Sequence, residues 1–216
     1  MVIKIKNTLI LIIVSSILIS CSSKNFKDKW TKIEAPETFK ARFETTKGDF
    51  EIEASRKWSP KAVDRLYQLI NGEFYTNIAF HRVVPNFVAQ FGIHNDNDLN
   101  TSWNSHEVID EPVVEKNIIG TIAFARGGKK TRTSEIFINL KNNSPYLDTI
   151  YYGGVKGFPV VAKVSKGMEV IKQFYSGYSE KPANGVDSIN IKENMNMYFK
   201  NNFPKLDYIK KAYIIK

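Results

Sequence analysis

Three separated stretches of this 216-residue chain concentrate the side chains whose types and spacing could do chemistry. They read FHRVVPNFVAQFG at 80–92, GTIAFARGG at 120–128 and SEIFINLKNNSPYLD at 134–148. The first contains Arg82, whose guanidinium stays charged at any working pH and presents a fixed fork of hydrogen-bond donors. Its neighbours are mostly aromatic and aliphatic, so the stretch combines a permanent donor with apolar surface.

Other arrangements of reactive side chains are weaker. His81, His94 and His106 lack metal-ligand spacing with acidic neighbours, so we expect no metal site and no cofactor. The run Gly127–Lys130 has two glycines followed by two lysines, but it lacks the spacing of a phosphate-binding loop. It is more typical of a surface turn.

The start of the chain indicates export. A short basic beginning precedes the apolar run Thr8–Ser20, which is too short to cross a hydrocarbon core of ~30 Å as a helix. The run ends in Leu-Ile-Ser-Cys at 18–21, which resembles the lipobox of bacterial lipoproteins. We therefore predict a signal peptide over 1–20 and lipid attachment at Cys21. The alternative is an uncleaved single-span anchor.

Composition agrees with one exported domain. Cleavage would leave 196 of the 216 residues and remove Lys4 and Lys6, so the formal net charge would fall from +9 to +7. With a single cysteine no internal disulfide can form, and stability must come from packing. The lysines are scattered rather than banded, so we expect no nucleic-acid partner. We expect a monomer anchored by its lipid in a bacterial cell envelope, with the inner or outer membrane left open.

The elements that must position these residues are mostly short strands. Alternating or β-branched stretches predict strands over 40–45, 49–54, 78–84, 87–91, 118–125, 135–140, 160–164 and 208–215. Apolar residues at helical spacing predict a helix from Pro60 to Ile70, a short one over 168–174, and another through Ile191, Met195, Tyr198 and Phe199. The polar stretch 94–106 has neither period and predicts a surface loop.

This pattern predicts a mainly β fold preceded by a polar segment. Residues 21–38 lack apolar periodicity and read as a lipidated tether, so the folded domain should cover 39–216, including the C-terminal helix and strand. Many short strands with two main α-helices are typical of a closed antiparallel β-barrel capped by helices. Propensity alone does not distinguish that barrel from a sandwich.

The three opening stretches, in their order and spacing, resemble the cyclophilin family of peptidyl-prolyl cis-trans isomerases. The resemblance runs from about Phe39 to Ile215, and the closing segment NMYFKNNFPKLDYIKKAYII is similar to an extended bacterial branch of that family. It implies a cyclophilin-like barrel that isomerises peptidyl-prolyl bonds. The implied partners are proline-containing polypeptides, including unfolded envelope proteins.

The resemblance also implies a role for particular residues. It makes Arg82 the central catalytic residue, with Phe87 and Gln90 beside it. It assigns substrate binding to Val88, Ala125, Glu135, Phe137, Leu147 and Phe158.

One of these residues departs from the family pattern. Glu135 replaces a glutamine whose amide can donate to substrate, whereas an ionised carboxylate cannot donate. We expect Glu135 to compete for the donors of Arg82, so that Glu135→Gln raises kcat/KM. The alternative is a catalytically weak module of the same fold that binds proline-containing peptides, and a more remote one is a structural envelope lipoprotein.

The basic segment after GTIAFA adds an expectation about specificity. It contains Arg126, Lys129, Lys130 and Arg132, and by resemblance it borders the groove. We therefore expect a modest preference for acidic residues near the proline.

Overall fold

The structure of the protein, a computed structural model, describes residues 26–188 and 195–215. The predicted signal peptide and Cys21 lie outside this part of the chain, so both remain predictions. Within the described residues, no helix has the length and apolar character needed to span a bilayer.

Strands supply most of the regular structure, and short helices pack around them. The strands are β1 (Thr38–Thr45), β2 (Gly48–Ser55), β3 (Ile78–Ala79), β4 (Arg82–Val84), β5 (Val88–Phe91), β6 (Thr121–Phe124), β7 (Ile136–Asn139), β8 (Tyr151–Tyr152), β9 (Val155–Lys156), β10 (Val160–Lys166) and β11 (Tyr208–Ile215). The α-helices are α1 (Pro60–Asn71), α2 (Asn97–Asn104), α3 (Ser144–Leu147), α4 (Met168–Ile171), α5 (Lys181–Ser188) and α6 (Met195–Asn202). A 3-10 helix spans Asp28–Lys32.

Nine strands form one antiparallel sheet in the order β3-β11-β1-β2-β10-β6-β7-β5-β4, and β8 and β9 pair separately. The edge strands β3 and β4 are consecutive in the chain, with only Phe80 and His81 between them. The sheet must therefore curl until its two edges lie within about 11 Å, the reach of three Cα steps. No described ladder joins the two edges, and the Phe80 N–H bonds to the Asp207 carbonyl instead. The predicted mainly β architecture is confirmed, but the barrel is strongly curled rather than fully closed by hydrogen bonds.

The core lies between one face of the sheet and helix α1. Phe43 on β1 stacks on Phe50 of β2, with ring centroids 4.8 Å apart. Val63, Leu66 and Ile70 are buried at positions i, i+3 and i+7 of α1, which packs against β2, β10 and β11. Apolar packing of this helix therefore holds the sheet in its curled form.

The N-terminal segment is more ordered than the predicted tether. Residues 26–37 lie on the domain: the Phe26 ring meets Trp103 edge-on at 5.2 Å, and the Gln68 amide donates to the Ile33 carbonyl at 2.7 Å. These contacts use single aromatic residues and backbone groups, which leave no periodic signal in the sequence. Any free tether therefore ends before residue 26.

The predicted surface loop over 94–106 is wrong in its middle, where α2 forms. The Asp96 side chain caps the helix by accepting from the N–H groups of Asp98 and Leu99, at 2.9 and 3.1 Å. Leu99 and Trp103 are the buried apolar residues that fix α2 to the core. The aspartate cap and the i, i+4 apolar pair were signals available in the sequence.

The C-terminal region combines confirmed and unforeseen elements. The predicted strand 208–215 is present as β11, which pairs with both β1 and β3. The predicted last helix is present as α6, although Ile191 lies outside the described residues. The described residues contain six α-helices, of which α2, α3 and α5 (Lys181–Ser188) were not predicted.

We predict that Leu66→Ala lowers the free energy of unfolding by about 2–5 kcal/mol, because it leaves a cavity in a closely packed core. Val114→Ala is the matched control: Val114 is 62% exposed, so the change should stay within about 0.5 kcal/mol. Urea unfolding measures both differences. Equal destabilisation by the two substitutions would contradict the assigned core.

Candidate active site

Strand pairing places three of the predicted site residues, Arg82, Gln90 and Phe137, in one row across the sheet. Arg82 on β4 lies opposite Gln90 on β5, which lies opposite Phe137 on β7, which lies opposite Ala123 on β6. Directly opposed side chains on neighbouring strands are about 4.5–5.5 Å apart at Cβ. The row therefore brings a charged donor, an amide and an aromatic ring together on one face.

An apolar cluster lies beside this row and forms the floor of a groove. Val88, Ala123, Phe137 and Leu147 are its buried members, and Phe87, Ala125 and Phe158 pack against them. The groove is a cavity of about 550 Å³, a size that suits a small apolar ligand group. It is lined by every predicted site residue of the domain: Arg82, Phe87, Val88, Gln90, Ala125, Glu135, Phe137, Leu147 and Phe158.

The Arg82 guanidinium is engaged on several sides. Its Nη1 donates to Gln90 Oε1 at 3.1 Å, while Nε and Nη2 both donate to Glu180 Oε1, at 3.2 and 2.5 Å. Its Cζ atom lies 5.3 Å from the centroid of the Phe87 ring, a cation–π contact. Three polar contacts and one aromatic face thus fix the guanidinium at the groove.

Glu135 does not contact Arg82 as we expected. Its Oε2 atom accepts from Gln90 Nε2 at 2.8 Å and lies 3.1 Å from His81 Nε2. The carboxylate therefore fixes the Gln90 amide with its oxygen turned toward Arg82. The expectation of direct competition between Glu135 and substrate for Arg82 is wrong, because the intervening glutamine takes the hydrogen bond.

The charge of Glu135 is set by opposing influences. Burial raises the pKa of Glu135, but the contact with His81, the hydrogen bond from Gln90 and the charge of Arg82 lower it more, so the pKa lies below the usual 4.5. The His81 ring is 1% exposed and lies parallel to Phe199 of α6 at 6.2 Å. Glu135 is therefore a carboxylate at neutral pH.

A sequence model of the family described as cyclophilin type peptidyl-prolyl cis-trans isomerase/CLD matches residues 40–194. The chain belongs to this family. The matched range contains the row, the apolar floor and both acidic residues near Arg82.

This cyclophilin aligns with only part of the length of two relatives. It is 33% identical to peptidyl-prolyl cis-trans isomerase A of Dickeya dadantii over 128 residues, 58% of this chain and 65% of that protein. It is also 33% identical to peptidyl-prolyl cis-trans isomerase-like 2 of Gibberella zeae over 131 residues, 57% of this chain and 22% of that protein. The chain therefore spans less than two thirds of either relative.

A solved structure shares the fold of this cyclophilin. The crystal structure of a cyclophilin type peptidyl-prolyl cis-trans isomerase from Cryptosporidium parvum superposes with a TM-score of 0.54 at 19% identity. The match covers 83% of this chain and 98% of that one. At this identity the likeness concerns the fold alone.

The basic segment beside the cyclophilin groove is less available than we expected. The Arg126 side chain is buried, donates to the Val155 carbonyl at 3.0 Å and lies 4.8 Å over the Phe158 ring. Arg132 is also buried and pairs with Glu111 at 3.2 Å. Both side chains lie inside the domain, so they expose little charge to a substrate, and the expected preference for acidic residues stays a prediction.

Sequence reasoning missed several residues that line the same groove. They are His81, Ile93, Tyr146, Tyr152, Glu180, Ala183 and Val186. Glu180 lies 98 positions after its partner Arg82, and no local pattern relates the two. Among residues 26–188 and 195–215, no group of three His, Cys, Asp or Glu side chains could hold a metal ion.

We predict that Glu135→Gln destabilises the protein at neutral pH and that the difference disappears in acid. Because the pKa of Glu135 is lowered from 4.5 in the folded state, its stabilising contribution is complete above that value and is lost as the pH falls through the folded pKa. The side chain is 37% exposed, so we expect at most about 1 kcal/mol at neutral pH. Urea unfolding of both proteins from about pH 7 to about pH 3 measures this difference. A constant difference across the range would contradict the direction of the pKa shift.

Proposed function

We propose that the protein catalyses cis/trans isomerisation of peptidyl-prolyl bonds, with Arg82 as the central catalytic residue. The observation that carries this proposal is the position of the Arg82 guanidinium at the edge of an apolar groove lined by Phe87, Val88, Phe137 and Leu147. A proline ring fits such a floor, and the imide nitrogen then comes close to the charged donor.

The barrier to isomerisation explains why an arginine suits this site. The imide bond resists rotation because its nitrogen shares a lone pair with the carbonyl, which gives a barrier of ~18–20 kcal/mol. As the bond twists, the lone pair returns to the nitrogen and can accept a hydrogen bond from Arg82. That interaction is stronger in the twisted transition state than in the ground state, which is the requirement for catalysis.

Arg82 cannot supply the whole acceleration. A millionfold rate increase requires about 8 kcal/mol, whereas a hydrogen bond to a charged group contributes about 1.5–3 kcal/mol. The remainder has to come from holding the ring while the preceding carbonyl swings, and from excluding water around the twisting bond. Phe87, Phe137 and Leu147 are placed to do both, since they form the apolar surface beside Arg82.

We also propose that the protein is a lipoprotein of a bacterial cell envelope, attached through Cys21, that assists the folding of proline-containing envelope proteins. The support is the lipobox-like sequence at 18–21, the sole cysteine of the chain, and the resemblance of the C-terminal segment to a bacterial branch of the family. Because residues from 26 onward lie on the domain, the domain would sit within about 18 Å of the lipidated residue.

A second function is favoured by the occupied donors of Arg82. A module that binds proline-containing peptides with negligible turnover would need the apolar floor but no free guanidinium. A protease-coupled assay on a proline-containing tetrapeptide, using residues 22–216, distinguishes the two functions. Acceleration of the cis-to-trans phase supports the isomerase, and binding without acceleration supports the peptide-binding module.

We predict that Arg82→Ala lowers kcat/KM at least about tenfold, equivalent to losing about 1.4 kcal/mol of transition-state stabilisation. Arg82→Lys should recover little activity, because an ammonium lacks the fixed fork of donors. Arg42→Ala is the matched control, since Arg42 pairs with Glu51 on β2 and does not line the groove. Thermal unfolding should show all variants folded, and wild-type activity in Arg82→Ala would refute the mechanism.

We predict that Cys21→Ser abolishes lipidation, because serine has no thiol to acylate. Metabolic labelling with a radioactive fatty acid in a bacterial host measures the modification. Label that persists in Cys21→Ser would contradict the assignment of Cys21.

A further inference from the structure

One wall of the groove is formed by a segment that the sequence analysis did not connect with the site. Glu180, Ala183 and Val186 line the same cavity as Arg82 and Phe137, and α5 packs against β4. This wall begins nearly one hundred residues after Arg82 in the sequence, yet it lies against β4, the strand that contains Arg82.

The contact between this wall and Arg82 is direct and uses two donors. Glu180 Oε1 accepts from Arg82 Nη2 at 2.5 Å and from Nε at 3.2 Å, while Gln90 takes Nη1. Hydrogen bonds in which both groups are charged are stronger than neutral ones. A charged acceptor within the protein therefore already takes two donors of the guanidinium.

We propose that Glu180 is an intramolecular competitor of substrate for Arg82. The inference rests on the proposed isomerase function and deepens it. Glu180 takes the Nε–H and one N–H of Nη2, so these two donors can turn to a prolyl nitrogen only after the carboxylate releases them. Glu180, rather than Glu135, is thus the acidic residue that limits turnover.

Exposure makes this competition moderate rather than complete. The Arg82 side chain is 22% exposed and that of Glu180 is 51% exposed, so water and salt weaken the pair. Exposed ion pairs of this kind correspond to about two- to fivefold in an equilibrium constant. Because the pair is weak in water, a bound peptide can displace the carboxylate.

The test compares kcat/KM of wild type, Glu180→Ala and Glu180→Gln on an uncharged proline-containing peptide. Glu180→Ala should be about two- to fivefold faster than wild type at low salt, with a smaller gain for Glu180→Gln, whose amide oxygen still accepts. The gain should shrink at about 0.5 M salt, where charges are screened. Glu169→Gln is the matched control, because it removes an exposed carboxylate that does not line the groove.

Two further variants separate this inference from the function on which it rests. In an Arg82→Ala background, Glu180→Ala should give no gain, because there is no guanidinium to release. If Arg82→Ala alone is as active as wild type, the proposed catalytic role fails. If Arg82→Ala is slow but Glu180→Ala is equal to or slower than wild type, only the competition is overturned, and a slower variant would show that Glu180 positions Arg82 productively.

Discussion

The antiparallel pairing of Arg82 with Gln90 is the contact on which the rest of the site depends. Strand β4 has three residues and lies at the edge of the sheet, with β5 as its only described neighbour in the ladder. The position of the guanidinium therefore depends on the neighbouring strands. Strand β5 fixes β4, and β7 fixes β5 through the pairing of Gln90 with Phe137. The same row that positions the Arg82 guanidinium also places the Phe137 ring of the groove floor beside it.

The electrostatics of the groove represent a compromise between holding a cation and leaving it free. A guanidinium that is only partly exposed needs partners, and Gln90, Glu180 and the Phe87 ring supply them. Each hydrogen-bonded partner also occupies a donor that a substrate would use under the proposed mechanism. Glu135 acts indirectly, since it orients the Gln90 amide and does not hydrogen-bond to Arg82. Under the proposed mechanism, Glu180 competes directly for donors of Arg82, whereas Glu135 acts only through the Gln90 amide.

The resemblance, which rests on three short stretches whose strands pair with one another, named most of the residues that line the groove. Strand β11 was likewise predictable, since its apolar pattern is local. What could not be predicted depends on distant packing: Glu180 reaches Arg82 through α5, and the burial of Arg126 depends on carbonyls of a separate hairpin. Helix α2 is different, because its Asp96 cap and its buried Leu99 and Trp103 are local signals within a polar stretch.

Two-dimensional NMR exchange spectroscopy on an alanine-proline peptide, with catalytic amounts of the protein, tests the central claim most directly. It observes binding and cis/trans interconversion in the same sample, so an isomerase and a peptide-binding module give different spectra. The account predicts exchange cross-peaks between the cis and trans forms with the wild type, and their loss with Arg82→Ala while the peptide resonances still shift on binding. Peptide binding without exchange by the wild-type protein would contradict it.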